Sequence, residues 1–494
     1  MRRSPSRHGA TTPRHGGRPI FRAWPALAFV VSACTAGPDY KRPPLDLPAS
    51  WRTEAPWRLA APADAAIKGE WWALFGDPEL DRIERAGLAH SPTIAIAGAR
   101  LEQARQVVRI DAAALYPQVA AGAGADRARI SANRPLAAYN AVNTATTQNE
   151  FTLGFSVRYE TDLFGRNRRQ LEAGRAALAG AAADFENARL VLAAEVAADY
   201  FTLRELDLEI DIIRQSIGLQ RRALDLVVQR HDLGAASGLD VAQQQASLDA
   251  TTTQIELLAN QRAQFEHALA ALVGEGAPGF GLPVVAALPT PPNVPIGVPS
   301  DLLERRPDVA SAERAMAAAN AQIGVAKAAF FPSVNLAAGG GWDSRTLGAL
   351  LNAPSVVWSL GVSATQSLFD AGHNDATVRF ATAGYAAAVG NYRQAVLGAM
   401  QEVQDGISGL AILGRAQDNA RAAVASAERT LSLANERYAG GLATYLDVIN
   451  AQQAVLGNQR QAAQIAGQQI LASVFLVKAV GGGWDGLAAT VAAH

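Results

Sequence analysis

The sequence concentrates its chemistry where a carboxylate stands beside a hydroxyl residue just after a tight turn, and it does so twice. Arg230 to Val241 and Arg437 to Val448 share an Arg, a Gly four residues on, a Ser or Thr three further, and then Leu-Asp-Val. Ser237 with Asp240, and Thr444 with Asp447, each have the spacing of a capping box, in which a hydroxyl and a carboxylate satisfy the first free amides of a helix. Gly234 and Gly441 supply the turn geometry that a side chain would resist. An ionised carboxylate is therefore presented at the first turn of a helix in both copies. Catalytic chemistry finds no comparable constellation. Of seven histidines, His90, His231, His267 and His373 share no metal-ligand spacing, and His8, His15 and His494 lie near the termini. No nucleophile motif or phosphate loop occupies a strand–turn–helix setting. Neither an enzyme nor a bound metal or cofactor is expected.

The remaining reactive residue is the single cysteine, Cys34. Residues 1–22 carry six arginines and no acid, the apolar run Trp24 to Val31 follows, and Ser32-Ala33-Cys34 closes the segment. A basic stretch, a short apolar core and small residues at the cut site form an export signal. A cysteine straight after Ser-Ala resembles the lipobox of bacterial lipoproteins, in which that cysteine is acylated and becomes the mature N-terminus. Losing residues 1–33 turns the formal net charge of −1 more negative, so there is no electrostatic case for nucleic acid.

The elements that position the two carboxylates recur roughly 200 residues apart in one order, which marks a duplicated structural unit. Leu115-Tyr116-Pro117 matches Phe330-Phe331-Pro332, and Leu163-Phe164-Gly165 matches Leu368-Phe369-Asp370. Helices are expected over 92–115 and 307–330, each ending before a proline. Period-2 strands with one apolar face follow at 151–159 and 358–364, with Ala/Gly-rich partners at 118–126 and 333–341. Surface loops are expected over 127–150 and 342–355. Proline is then absent from 136 to 277 and from 355 to the end. Val196, Leu203, Ile210, Ile217 and Leu224 recur every seven residues, with Leu206, Ile213 and Val227 on the neighbouring seam. Val389, Val396, Val403 and Leu410 do the same in the second copy, and a sustained heptad means coiled-coil packing. Long helices from about 166 to 230 in the first copy, and its equivalent in the second, should turn at Gly234 and Gly441. Shorter helices return over 239–273 and 444–480.

No segment approaches the roughly 18–20 unbroken apolar residues of a membrane helix, although mean hydropathy is +0.04. Strands of about ten residues suit a bilayer crossing, but four strands are fewer than the smallest usual membrane barrel. Open strand edges are untenable in lipid, so several chains must share one barrel. Pro- and Trp-rich residues 35–90, including Trp71-Trp72, and the Pro/Gly-rich stretch 275–305 read as packed non-barrel segments.

With these pieces in place the sequence resembles the TolC superfamily of outer-membrane efflux channels, in its OprM/NodT-type lipoprotein branch. The resemblance is carried by Cys34 before Gly37-Pro38-Asp39-Tyr40-Lys41-Arg42-Pro43, by Trp71-Trp72 to Asp77-Pro78-Glu79-Leu80, by Arg305-Arg306-Pro307-Asp308-Val309, by Phe331-Pro332 and by the two Leu-Asp-Val tips. It implies a mixed α/β membrane protein with an internal two-fold repeat. Three copies would build a 12-stranded transmembrane barrel, four strands each, continued by a long periplasmic coiled-coil tunnel. The implied organisation is a signal peptide at 1–33, an equatorial segment at 34–90, repeats at 91–274 and 306–482, an equatorial linker at 275–305 and a tail at 483–494. The implied role is the exit duct of a tripartite efflux system, lipid-anchored in the outer membrane and docked on a periplasmic adaptor beneath an inner-membrane pump. The resemblance also implies that Asp447, and less so Asp240, line a periplasmic constriction. Tyr438 would bond across hairpins to Asp240, Asn450 replaces a second acid of some relatives, and Gly234 and Gly441 form flat tips for the adaptor. Two other readings fit parts of the chain: a channel for polypeptide secretion, and a structural coiled-coil lipoprotein without a pore. The alternating strands argue against the second.

Overall fold

The computed structural model describes residues 35–44, 48, 50–52, 69–133, 145–292, 294 and 306–482. Cys34, the signal segment and the tail from 483 lie outside these residues. The chain divides into two compact units, one built on residues 112–170 and 323–378, the other on 39–111, 171–322 and 379–482.

The first unit is a four-stranded antiparallel sheet in the order β1 (Gln118–Ile130), β2 (Thr146–Thr161), β3 (Ser333–Ser344) and β4 (Val356–Thr365). Each repeat contributes one pair, and β2 and β3 join them side by side. The outer edges of β1 and β4 carry no strand partner among the described residues. The close approach of β2 and β3 requires glycine at 341, where an added Cβ would stand 2.2 Å from the Leu153 carbonyl oxygen. The loop expectation over 127–150 and 342–355 is corrected at its ends. Residues 127–130 pair with 146–149, and Trp342 with Val356. Polar side chains at Arg127, Arg129, Thr147 and Asn149 give the first of these ends no apolar face, yet a backbone ladder forms whatever its side chains, provided the register continues. At the sheet's other end, Ala36 donates to the Phe164 carbonyl at 3.0 Å and Phe164 stacks on Phe331 with ring centres 4.7 Å apart.

The second unit is helical. A 3-10 turn, Trp71–Phe75, leads to α1 (Pro78–His90), which Asp77 caps by accepting from the amides of Glu79 and Leu80. Trp71, Trp72 and Phe75 are buried beside Leu80, Ile83, Tyr200 and Phe201, so the aromatic pair anchors a core as its sequence setting suggests. The buried Tyr200 hydroxyl donates to Asp77 at 2.6 Å. α2 (Pro92–Ala113) and α5 (Pro307–Ala328) are the matching first helices of the repeats. The long helices α3 (Arg166–Asp232) and α6 (His373–Ala439) have 67 residues each, and the returning α4 (Gly238–Leu272) and α7 (Tyr445–Ala479) have 35 each. A 67-residue helix extends about 100 Å at 1.5 Å per residue. The heptad positions are where the core lies: Val196, Leu203, Ile210, Ile217, Val396 and Val403 are all buried. Two further sequence motifs act as clamps. Arg306 binds Asp308, Glu402 and the last carbonyl of α7 at Ala479, while Tyr40 donates to Glu313 at 2.6 Å.

Candidate functional site

Both hairpin tips close in the same way. After α3 the amide of Gly234 bonds the His231 carbonyl at 2.8 Å and that of Ala235 bonds the Arg230 carbonyl at 2.7 Å. After α6, Gly441 bonds Tyr438 at 3.1 Å and Leu442 bonds Arg437 at 2.8 Å. This pair of bonds is the Schellman closure, whose C′ residue is left-handed, and φ is +74° at Gly234 and +71° at Gly441. The repeated Arg-to-Gly spacing is thus the length of that closure. The next helix begins at once. Ser237 donates its amide to Asp240 at 2.9 Å and accepts the Asp240 amide at 3.2 Å. Thr444 donates both its amide and its hydroxyl to Asp447, at 2.9 and 2.8 Å. The Thr444 hydroxyl, and then its amide, hold the Asp447 carboxyl below the usual carboxylate range, so an exposed negative charge persists at neutral pH.

The two tips pack on each other through Val227, Val241, Tyr438, Tyr445, Val448 and Ile449. Tyr438 lies 5.1 Å from the Tyr445 ring, and the Arg230 guanidinium sits 4.8 Å over its face. Among the described hydrogen bonds of one chain, none joins Tyr438 to Asp240. Asn450 is exposed one turn beyond Asp447, as are Gly234 and Gly441. A residue that the sequence does not single out is Tyr445, whose buried hydroxyl donates to Gln244 at 2.9 Å. Burial first, then the neighbouring Tyr438 and Asp240, push this phenol up to about 12.

From Tyr445 a polar seam runs along α4 and α7. Gln453 donates to Ser247 at 2.7 Å, and Arg460 donates to Gln254 at 3.1 Å and to Glu209 of α3 at 2.8 Å. Gln464 completes the Glu209 carboxylate at 2.8 Å. Beside it Glu205 is pushed up to about 8, by burial first and then by Glu209. The equivalent helices of the repeats therefore lie in register, held by side chains that no local pattern advertises.

The sheet has two unlike faces. Register places Val119, Ala121 and Ala123 of β1 with Phe151, Leu153, Phe155, Val157 and Tyr159 of β2. The same face continues through Leu336, Ala338 and Trp342 to Val356, Trp358, Leu360 and Val362. The opposite face carries Gly122, Gly124, Thr152, Gly154, Ser156, Asn335, Ser359 and Ser363. A central apolar band that includes an 80% exposed Trp358 and a 78% exposed Leu360 is what hydrocarbon requires of a barrel wall. Among the described residues no helix is long and apolar enough to cross a membrane.

The family model for outer membrane efflux proteins matches residues 85–275 and 298–482, more than half of the chain. The chain belongs to the outer membrane efflux protein family. The toluene efflux pump outer membrane protein TtgF of Pseudomonas putida is 31% identical over 471 residues, covering 94% of this chain and 96% of the relative. Outer membrane protein OprJ of Pseudomonas aeruginosa is 30% identical over 468 residues, covering 93% and 95%. The solved outer-membrane channel OprN superposes with a TM-score of 0.83 at 29% identity, covering 92% of this chain and all of that one. This efflux protein thus has the expected fold class, that of the channels, with barrel strands and long paired helices in one subunit. It is an outer-membrane component of a bacterial efflux system, in a transport family rather than an enzyme family.

Proposed function

We propose that three copies of this chain close their sheets into one 12-stranded barrel that serves as the exit duct of a tripartite efflux system. The observation that carries the reading is the sheet itself. One face is apolar from Phe151 to Tyr159 of β2 and from Val356 to Val362 of β4, and β1 and β4 leave open edges that lipid cannot satisfy. Joining β4 of one copy to β1 of the next removes every edge. The duct passes small molecules, as the name of the toluene relative supports, and receives them from an inner-membrane pump through a periplasmic adaptor docked on the tips at Gly234 and Gly441. Cys34 is acylated and anchors the mature chain in the outer membrane. Asp447 and Asp240 line the periplasmic aperture, with Tyr438 holding neighbouring hairpins together and Asn450 leaving the ring less negative. Native mass spectrometry in mild detergent tests the shared barrel: three chains per particle are expected, and a stable, fully folded monomer refutes it.

A further inference from the structure

Charge on the sheet is sorted by face at the end that carries the β1–β2 and β3–β4 connections. Asp126 pairs with Glu150, and Asp343 with Thr152, all in line with Gly154 and Ser156 on the polar face. Arg127 pairs with Asn149 and Arg129 with Thr147, in line with Phe151 and Phe155 on the apolar face. Both arginines are exposed, and among the described residues neither has an ion-pair partner. A membrane wall has no structural need of two unneutralised cations beside its greasy face.

The same face holds an apolar groove of about 450 Å³ lined by Phe155, Val157, Ala338, Gly340, Trp342 and Trp358. Its floor is Gly340, paired with Phe155 on one side and Trp358 on the other. A Cβ at Gly340 would meet only the Val357 carbonyl oxygen, at 3.9 Å, so strand packing does not demand glycine there. What the missing side chain leaves is space on the outward face. From Phe155 to Asn149 the strand rises about 20 Å, which at the usual barrel tilt is about half the hydrocarbon thickness. A chain lying in the groove therefore ends its headgroup at the level of Arg127.

We propose that this face binds a phosphate-bearing, multiply acylated lipid of the outer leaflet, with an acyl chain over Gly340 and a phosphate at Arg127 and Arg129. The inference rests on reading the sheet as a membrane wall with the helices on the periplasmic side. Phosphate is the headgroup chemistry that paired guanidinium groups select, through charge-assisted hydrogen bonds.

The test uses the full-length protein purified in mild detergent and titrated with bisphosphorylated lipid A, read by native mass spectrometry and tryptophan emission. Separate arms use the dephosphorylated lipid, phosphatidylethanolamine and inorganic phosphate. Parent protein should retain lipid A, with binding that weakens as salt screens the arginines. Arg127→Gln with Arg129→Gln should weaken lipid A binding roughly tenfold or more, the loss expected when hydrogen bonds to a charged group are removed. Gly340→Leu should weaken it independently by filling the groove, and phosphatidylethanolamine, whose single phosphodiester is paired with its own ammonium, should bind the parent more weakly than lipid A does. Equal binding of the dephosphorylated lipid, or unchanged affinity in the double variant, overturns the proposal. So does full competition by inorganic phosphate, which would make this a free-anion site. Particle mass and circular dichroism are recorded for every variant. A parent that fails to form the multi-chain barrel sinks the membrane-wall reading instead, and is distinguished by its mass.

Discussion

Glu205→Gln is the substitution whose outcome the helical packing fixes most tightly. The Glu205 side chain lies over Gly467 of α7, where a Cβ would come within 2.6 Å of its Cγ, so glycine makes room for it. Its neighbours are Glu209 on its own helix and Arg460 on α7, and Arg460 is already committed to Glu209 at 2.8 Å. One cation cannot neutralise two carboxylates, and burial penalises the second charge, which pushes Glu205 up to about 8. The folded state therefore holds a proton that the unfolded chain has released. Its contribution to stability is fully present below the unfolded value near 4.5 and is lost as pH rises through about 8. The full shift would correspond to about 5 kcal/mol at 1.36 kcal/mol per unit. Partial exposure and screening reduce the usable part to about 2 kcal/mol. Glutamine imitates the protonated acid and removes the titration. Hydrogen exchange of the α3 and α7 segments around Glu205 and Gly467, compared between parent and variant at each pH, reads the difference locally. The variant should match the parent near pH 5 and be more protected near pH 9. A variant that is equally pH-dependent, or less protected at pH 9, refutes the reasoning.

Asp447→Ala should alter ion selectivity of single channels in planar bilayers, and Tyr438→Phe should raise conductance. If both conduct and select like the parent, the tip residues are caps only, and Asp447→Ala then shows no more than the small loss of stability that follows removal of a helix cap. Mass spectrometry of the mature protein should find an acylated Cys34 as its first residue, and an unmodified terminus elsewhere removes the lipid anchor.

The parts of this molecule legible in its sequence are those whose causes are local. Capping boxes at Ser237 and Thr444 are complete within four residues, and the Schellman closures before them need only a correctly spaced glycine. The heptads announce buried positions because Val196, Leu203 and Ile210 pack against a partner helix at every second turn. Strand centres are plain from alternation, but strand ends are not, since Arg127, Arg129, Thr147 and Asn149 alternate nothing apolar. The Glu205–Glu209–Arg460 cluster is invisible in the sequence because Arg460 stands about 250 residues from the two glutamates and meets them only when α3 and α7 pack. Tyr445 is hidden inside the tip motif itself, where its neighbours Thr444 and Asp447 point to capping and nothing local signals the distant Gln244.

The open edges of β1 and β4 set an order of events in biogenesis. The helical unit buries its heptads within one chain and can mature in water before any second copy arrives. The sheet has no such option, since its greasy face and both free edges stay unsatisfied until copies meet in the bilayer. A subunit crippled in a strand would thus still complete its helices, remain recognisable to healthy copies and be recruited by them. One defective allele should then poison assemblies made largely from normal subunits, whereas an allele that never folds its helices should be degraded quietly and do no harm.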